Sequence, residues 1–124
     1  MKLIATPSAP VPVAAYSQAT QARGLVFTAG QIGIDPASGA LVEGLDAQTA
    51  QAFSNVGAVL QAAGLGPADV AKVTIFMTDL TQFGKVNAIY ESFVGGHRPA
   101  RSTVGVAALP LGALVEIEAI AVQP

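Results

Sequence analysis

Cysteine is absent from this sequence. Its absence excludes disulfides, thiolate nucleophiles and cysteine-based metal sites together. The one histidine, His97, has no second imidazole or thiolate to join it, so no transition-metal site is expected. It falls in a Gly-Gly-His-Arg stretch and reads as a solvent-exposed loop residue. Charge is scarce as well: Asp, Glu, Lys and Arg make up 11% of the chain, against about 25% in an ordinary soluble domain. The net charge of −2 offers no electrostatic reason to bind nucleic acid. No uncharged apolar run of about 20 residues is present to span a membrane as a helix. Residues 1–5 lack the apolar core of a secretion signal. With the missing cysteines, this points to the cytoplasm. No phosphate-binding glycine loop, dinucleotide fingerprint or Ser-His-Asp set is visible.

What is abundant is apolar surface. Hydrophobic residues are 52% and the mean hydropathy is +0.54. A chain of 124 residues fits one domain, 1–124. A domain of that size has much surface and few places to hide apolar side chains. Part of the surface is therefore expected to be buried between subunits.

Taken in order, residues 2–5 read as a short edge strand, followed by a proline-rich extended loop holding Pro7, Pro10 and Pro12. Residues 14–20 precede a turn at Arg23-Gly24, and residues 25–32 follow as a strand, so the two could form a hairpin. Gly30 inside that pattern marks a bulge or a close backbone approach. Asp35 to Gly39 is a turn. A helix is expected over 46–63, with Asp46 as N-cap, Gly64 as stop, and Phe53, Val56, Leu60 and Ala63 on one face. A strand over 70–78 leads to a second helix over 82–94, with Val86, Ile89, Tyr90 and Phe93 on its apolar face. Two strands complete the chain, at about 101–107 and 114–122. The order β-β-β-α-β-α-β-β reads as α+β, one mixed sheet with two helices on one face.

The last quarter, from Arg98 to Val122, concentrates the charges that a core would not hold. Alternation along a strand puts Arg101 and Thr103 on one face, and Glu116 and Glu118 on one face. A charge in so apolar a stretch costs several kcal/mol unless it is paired or used. Structural ion pair, solvated edge and functional site all remain open at this point.

The run Pro99-Ala100-Arg101-Ser102-Thr103-Val104, followed by Val115-Glu116-Ile117-Glu118-Ala119-Ile120-Ala121, resembles the signature of the RidA family. Tyr16-Ser17-Gln18-Ala19, Thr28-Ala29-Gly30-Gln31-Ile32, Asn55-Val56, Ala62-Ala63-Gly64-Leu65 and Val86 to Glu91 match further family pieces in the right order. The resemblance implies a chorismate-mutase-like, RidA-like fold assembled as a homotrimer, with a barrel of sheets inside and sites between subunits. It implies an imine deaminase that hydrolyses 2-iminobutanoate and 2-iminopropanoate to 2-oxo acids and ammonia without a cofactor. In that reading the Arg101 guanidinium, a rigid two-pronged donor, grips the substrate carboxylate. Glu116 holds the attacking water. Tyr16, Gly30, Asn87 and Thr103 line the pocket, and Glu118 reads as a structural or interfacial carboxylate. Two positions depart from the family: Thr103 stands where many members carry cysteine, and Ala29 where many carry serine. A trimeric small-carboxylate-binding or sensing protein without turnover is the alternative, and Glu116 discriminates, since a binder needs no water-activating carboxylate.

Overall fold

The computed structural model describes all residues, 1–124. It contains β1 (Lys2–Ile4), β2 (Ala19–Ala22), β3 (Leu25–Thr28), α1 (Leu45–Ala62), β4 (Val70–Met77), α2 (Phe83–Val94), β5 (Ala100–Gly105) and β6 (Val115–Val122). The order of elements is the expected one. The strands form one mixed sheet in the order β1-β2-β3-β6-β4-β5. Only β4 and β5 run parallel, because α2 carries the chain back between them. All other neighbours are antiparallel. β5 thus lies at an edge, with one side unpaired.

The core forms on one side of this sheet. Val73, Ile75 and Met77 of β4, and Val115, Ile117, Ala119 and Ala121 of β6, are buried against Phe53, Val56, Val59 and Leu60 of α1 and Val86, Tyr90 and Val94 of α2. Side-chain alternation sends the intervening residues to the opposite side, which no helix covers. Phe27, Val104 and Val122 stay exposed there, beside Glu116 and Glu118. Part of the apolar excess of the composition is thus located on the uncovered sheet face, and Val11, Val13 and Leu111 of the loops carry more of it.

Several boundaries move. The hairpin exists, but its first strand is 19–22 rather than 14–20, and it turns at Arg23 (φ 53) and Gly24 (φ 78). Two successive left-handed residues match the twist of the flanking strands. The strand predicted over 25–32 ends at Thr28, with only an isolated bridge from Gln31 to Ile117 beyond it. Asp46 is not the N-cap of α1. Gly44 holds that position without a side-chain bond, and Asp46 sits in the first turn, where its charge complements the helix dipole instead. His97 is not solvent-exposed: it is half-buried, with Nε2 2.6 Å from the Val70 carbonyl oxygen.

The 30–34 segment is clamped onto α1. Asn55 Nδ2 donates to the carbonyls of Ile32 and Ile34 at 3.2 and 2.9 Å. Gly33 lies so close that a Cβ there would sit 2.6 Å from Gln48 Cα. Gly33→Ala therefore forces apart two stretches of backbone, and is expected to cost roughly 1–3 kcal/mol. Thermal unfolding should register this as a drop of several degrees in Tm. An unchanged Tm would show that the segment moves freely against α1.

Candidate functional site

Arg101 projects from β5 toward α2. Its guanidinium carbon lies 4.9 Å from the centroid of the Phe83 ring and 4.8 Å from that of Tyr90, within reach of cation–π attraction. Its one side-chain hydrogen bond runs from Nη1 to Asn87 Oδ1 at 2.7 Å. Asn87 Nδ2 in turn donates to Glu91 Oε1 at 3.2 Å. Phe83, Asn87 and Tyr90 fall at i, i+4 and i+7, so one stripe of α2 grips the arginine. The partner amide is neutral, which leaves the charge uncompensated and most of the donor fork open. Thr103, two residues along the same face, carries a buried Oγ1 without a hydrogen-bond partner. With Leu80 and Phe83 these two residues line a shallow, open shelf of about 360 Å³ at the sheet edge.

Glu116 belongs to a second place. On β6 it pairs with Phe76, whereas Arg101 pairs with Val73, the partner of Ala119. The parity differs, so Arg101 and Glu116 stand on opposite faces of one sheet. No ion pair between them is possible within the chain. Glu116 opens into a cavity of about 400 Å³ that also holds Tyr16, Gly30 and Gln31. Burial, and secondarily the negative charge of Glu118, pushes its carboxyl above the ordinary value of 4.5. Gly30 meets a close approach, as its place in the strand pattern suggested, and the approaching group is Glu116 itself. A Cβ on Gly30 would lie 2.7 Å from Glu116 Oε1, so any side chain there would push the carboxylate aside.

The six residues singled out from the sequence thus sort into two halves. Arg101, Thr103 and Asn87 gather at the open edge. Tyr16, Gly30 and Glu116 gather on the uncovered face. Sequence reasoning missed Phe83 and the cation–π role of Tyr90, although their i, i+7 spacing around Asn87 carried the signal.

The model of the Endoribonuclease L-PSP family matches residues 6–123. The chain belongs to this family, the RidA family. It is 51% identical to a RutC family protein of Aquifex aeolicus, across 99% of this chain and 100% of that protein. It is 48% identical to the 2-iminobutanoate/2-iminopropanoate deaminase of Rattus norvegicus, across 98% of this chain and 90% of that one. The crystal structure of E. coli TdcF with bound serine superimposes with a TM-score of 0.96 at 38% identity, covering 100% of both chains. The α+β architecture read from the sequence is therefore that of RidA proteins.

Proposed function

We propose that this RidA-family chain is an imine deaminase acting on 2-imino acids, assembled as a homotrimer with each site completed between copies. The observation that carries the reading is the division of the site. A cation with spare donors lies at an open sheet edge, and a proton-accepting carboxylate lies in a cavity on the other face. Each half lacks what the other supplies. The uncovered apolar sheet face gives copies a reason to associate, and a head-to-tail contact lets the edge of one copy meet the cavity of the next.

In the assembled site, Arg101 holds the carboxylate of a 2-imino acid through its fork. Thr103 Oγ1 and Tyr16 supply further polar contacts. Water bound to Glu116 attacks the imine carbon, forming the C–O bond as its proton passes to the carboxylate. The tetrahedral carbinolamine then collapses. Glu116 returns the first proton to the nitrogen and takes up the hydroxyl proton as the C=O bond forms; that second proton passes to the nitrogen as the C–N bond breaks, and ammonia and a 2-oxo acid remain. One water is consumed per ammonia released. Fixing the carboxylate and placing the water at the adjacent imine carbon is positioning catalysis, worth several kcal/mol, and the raised Glu116 pKa strengthens it as proton acceptor. The serine bound to TdcF is equally compatible with a protein that only binds small acids, so turnover is the discriminating measurement.

The test couples an amino-acid oxidase to the protein and follows 2-oxo acid and ammonia release. Arg101→Ala and Glu116→Gln chains are assayed singly and after mixing with subunit exchange. If sites form between copies, random pairing rebuilds about one quarter of them with both residues intact, and activity returns on mixing. Lack of acceleration by the wild-type protein would overturn the deaminase reading. Inactive variants that stay inactive in verified mixed assemblies would overturn the shared site.

A further inference from the structure

Glu91 sits where a helix disfavours it. Its side chain is exposed, in the last turn of α2. A negative charge there opposes the helix dipole, and no basic residue in that turn offsets it. Its neighbours at i−3, i+3 and i+4 are Ala88, Val94 and Gly95, so no adjacent cation on the helix pairs with it. In a chain with 11% charged residues, a carboxylate so placed needs another reason. Its one side-chain hydrogen bond comes from Asn87 Nδ2 at 3.2 Å, and Asn87 Oδ1 accepts from Arg101 Nη1 at 2.7 Å. A carboxylate only accepts and a guanidinium only donates. The Asn87 amide meets both in one orientation alone, with its oxygen to Arg101 and its nitrogen to Glu91.

We infer that Glu91 is a positioning residue for carboxylate capture: through Asn87 it fixes the direction of the Arg101 donors, although its charge weakens the end of α2. The inference rests on the reading of Arg101 given above. A carboxylate in direct contact with Arg101 would orient it equally well but neutralise it. The neutral amide between them passes on the orientation and leaves the charge free for a ligand. The Phe83 and Tyr90 rings confine the guanidinium, and Tyr90 is itself seated beside Phe53, with ring centroids 6.0 Å apart. Within that cradle, the bond to Asn87 sets where Nη1 points, and hence where the remaining donors aim.

The experiment measures 2-oxobutanoate binding by calorimetry, KM and kcat in the coupled imine assay, and Tm. Wild type is set beside Glu91→Ala, Glu91→Gln and Asn87→Asp. Glu91→Ala is expected to raise Kd and KM about fivefold, the effect of losing one hydrogen bond. Its kcat should not change, because Glu116 and its water are untouched. Its Tm should hold or rise, since the charge opposing the dipole is gone. Glu91→Gln keeps an acceptor oxygen at the same reach, and its Kd should stay within about twofold of wild type. Asn87→Asp sets a carboxylate against Arg101 and should weaken binding at least about tenfold. Glu91→Ala or Asn87→Asp binding like wild type overturns the inference. So does Glu91→Gln as weak as Glu91→Ala, because charge rather than orientation would then be acting. A fall in Tm that parallels the loss of binding also overturns it, since Glu91 would then brace α2. The expected pattern of binding without any imine turnover keeps the positioning role and removes the deaminase reading, which separates the two.

Discussion

Arg101→Ala is expected to lose nearly all affinity for 2-oxo and 2-imino acids. Removing one partner of a desolvated, hydrogen-bonded charge pair costs roughly 2–5 kcal/mol, so calorimetry with 2-oxobutanoate should show binding weakened at least about thirtyfold. Arg101→Lys should recover little. An ammonium offers a point charge, whereas the carboxylate is met by a planar fork. That fork is already oriented by Asn87 Oδ1 at 2.7 Å and by the Phe83 and Tyr90 rings. A lysine stem cannot use this cradle in the same way, because the flat stacking surface is lost with the guanidinium. Folding should be little affected, since no carboxylate in the chain depends on Arg101. A correctly assembled Arg101→Ala that binds like wild type would make Arg101 a brace for α2 and place the carboxylate elsewhere.

Glu116→Gln is expected to separate binding from turnover. The amide preserves shape but accepts no proton, so 2-oxobutanoate should still bind while kcat falls about 10²–10⁴-fold. Equal loss of binding would make Glu116 a contact rather than a base. The pH dependence adds a second reading. Glu116 must be ionised to accept a proton, and burial raises its pKa above 4.5. Activity should therefore decline, as pH falls, earlier than an ordinary glutamate would dictate. Glu118→Gln removes the smaller of the two causes. It should lower this acid limb without returning it to 4.5, because desolvation remains. Stability runs in the opposite sense to the usual carboxylate. The folded chain binds the Glu116 proton more tightly than the unfolded chain does, so the ionised form opposes folding as pH rises through the folded pKa. Glu116→Gln should accordingly hold or raise Tm at neutral pH while abolishing turnover. A fall in Tm would mean that the carboxylate serves the fold.

Much of this protein was legible from local rules. Apolar spacing placed both helices, since Phe53, Val56 and Leu60 of α1 and Val86 and Tyr90 of α2 are buried as their periodicity required. Alternation correctly paired Arg101 with Thr103 and Glu116 with Glu118, because which neighbours share a strand face depends on the strand alone. The family match of Arg101 and Glu116 likewise needed only the order of residues. Failures occurred where a distant partner decides a local conformation. Asp46 looked like a cap, yet the helix starts at Leu45 after Gly44. His97 looked exposed, yet it reaches the Val70 carbonyl across 27 positions.

The relation between Arg101 and Glu116 belongs wholly to the tertiary structure. Each strand's alternation says nothing about the phase of another strand. That phase comes from registry, with β4 pairing Val73 to Arg101 on one side and Phe76 to Glu116 on the other. Registry in turn follows from burying Val73, Ile75, Met77, Ile117 and Ala119 together under the helices, because a slip of one residue would turn every one of them to the open face. The sequence by itself determined that this chain carries an arginine in one strand-forming stretch and a glutamate in another, each set among apolar residues. Only the packing of the core decided that they face away from each other.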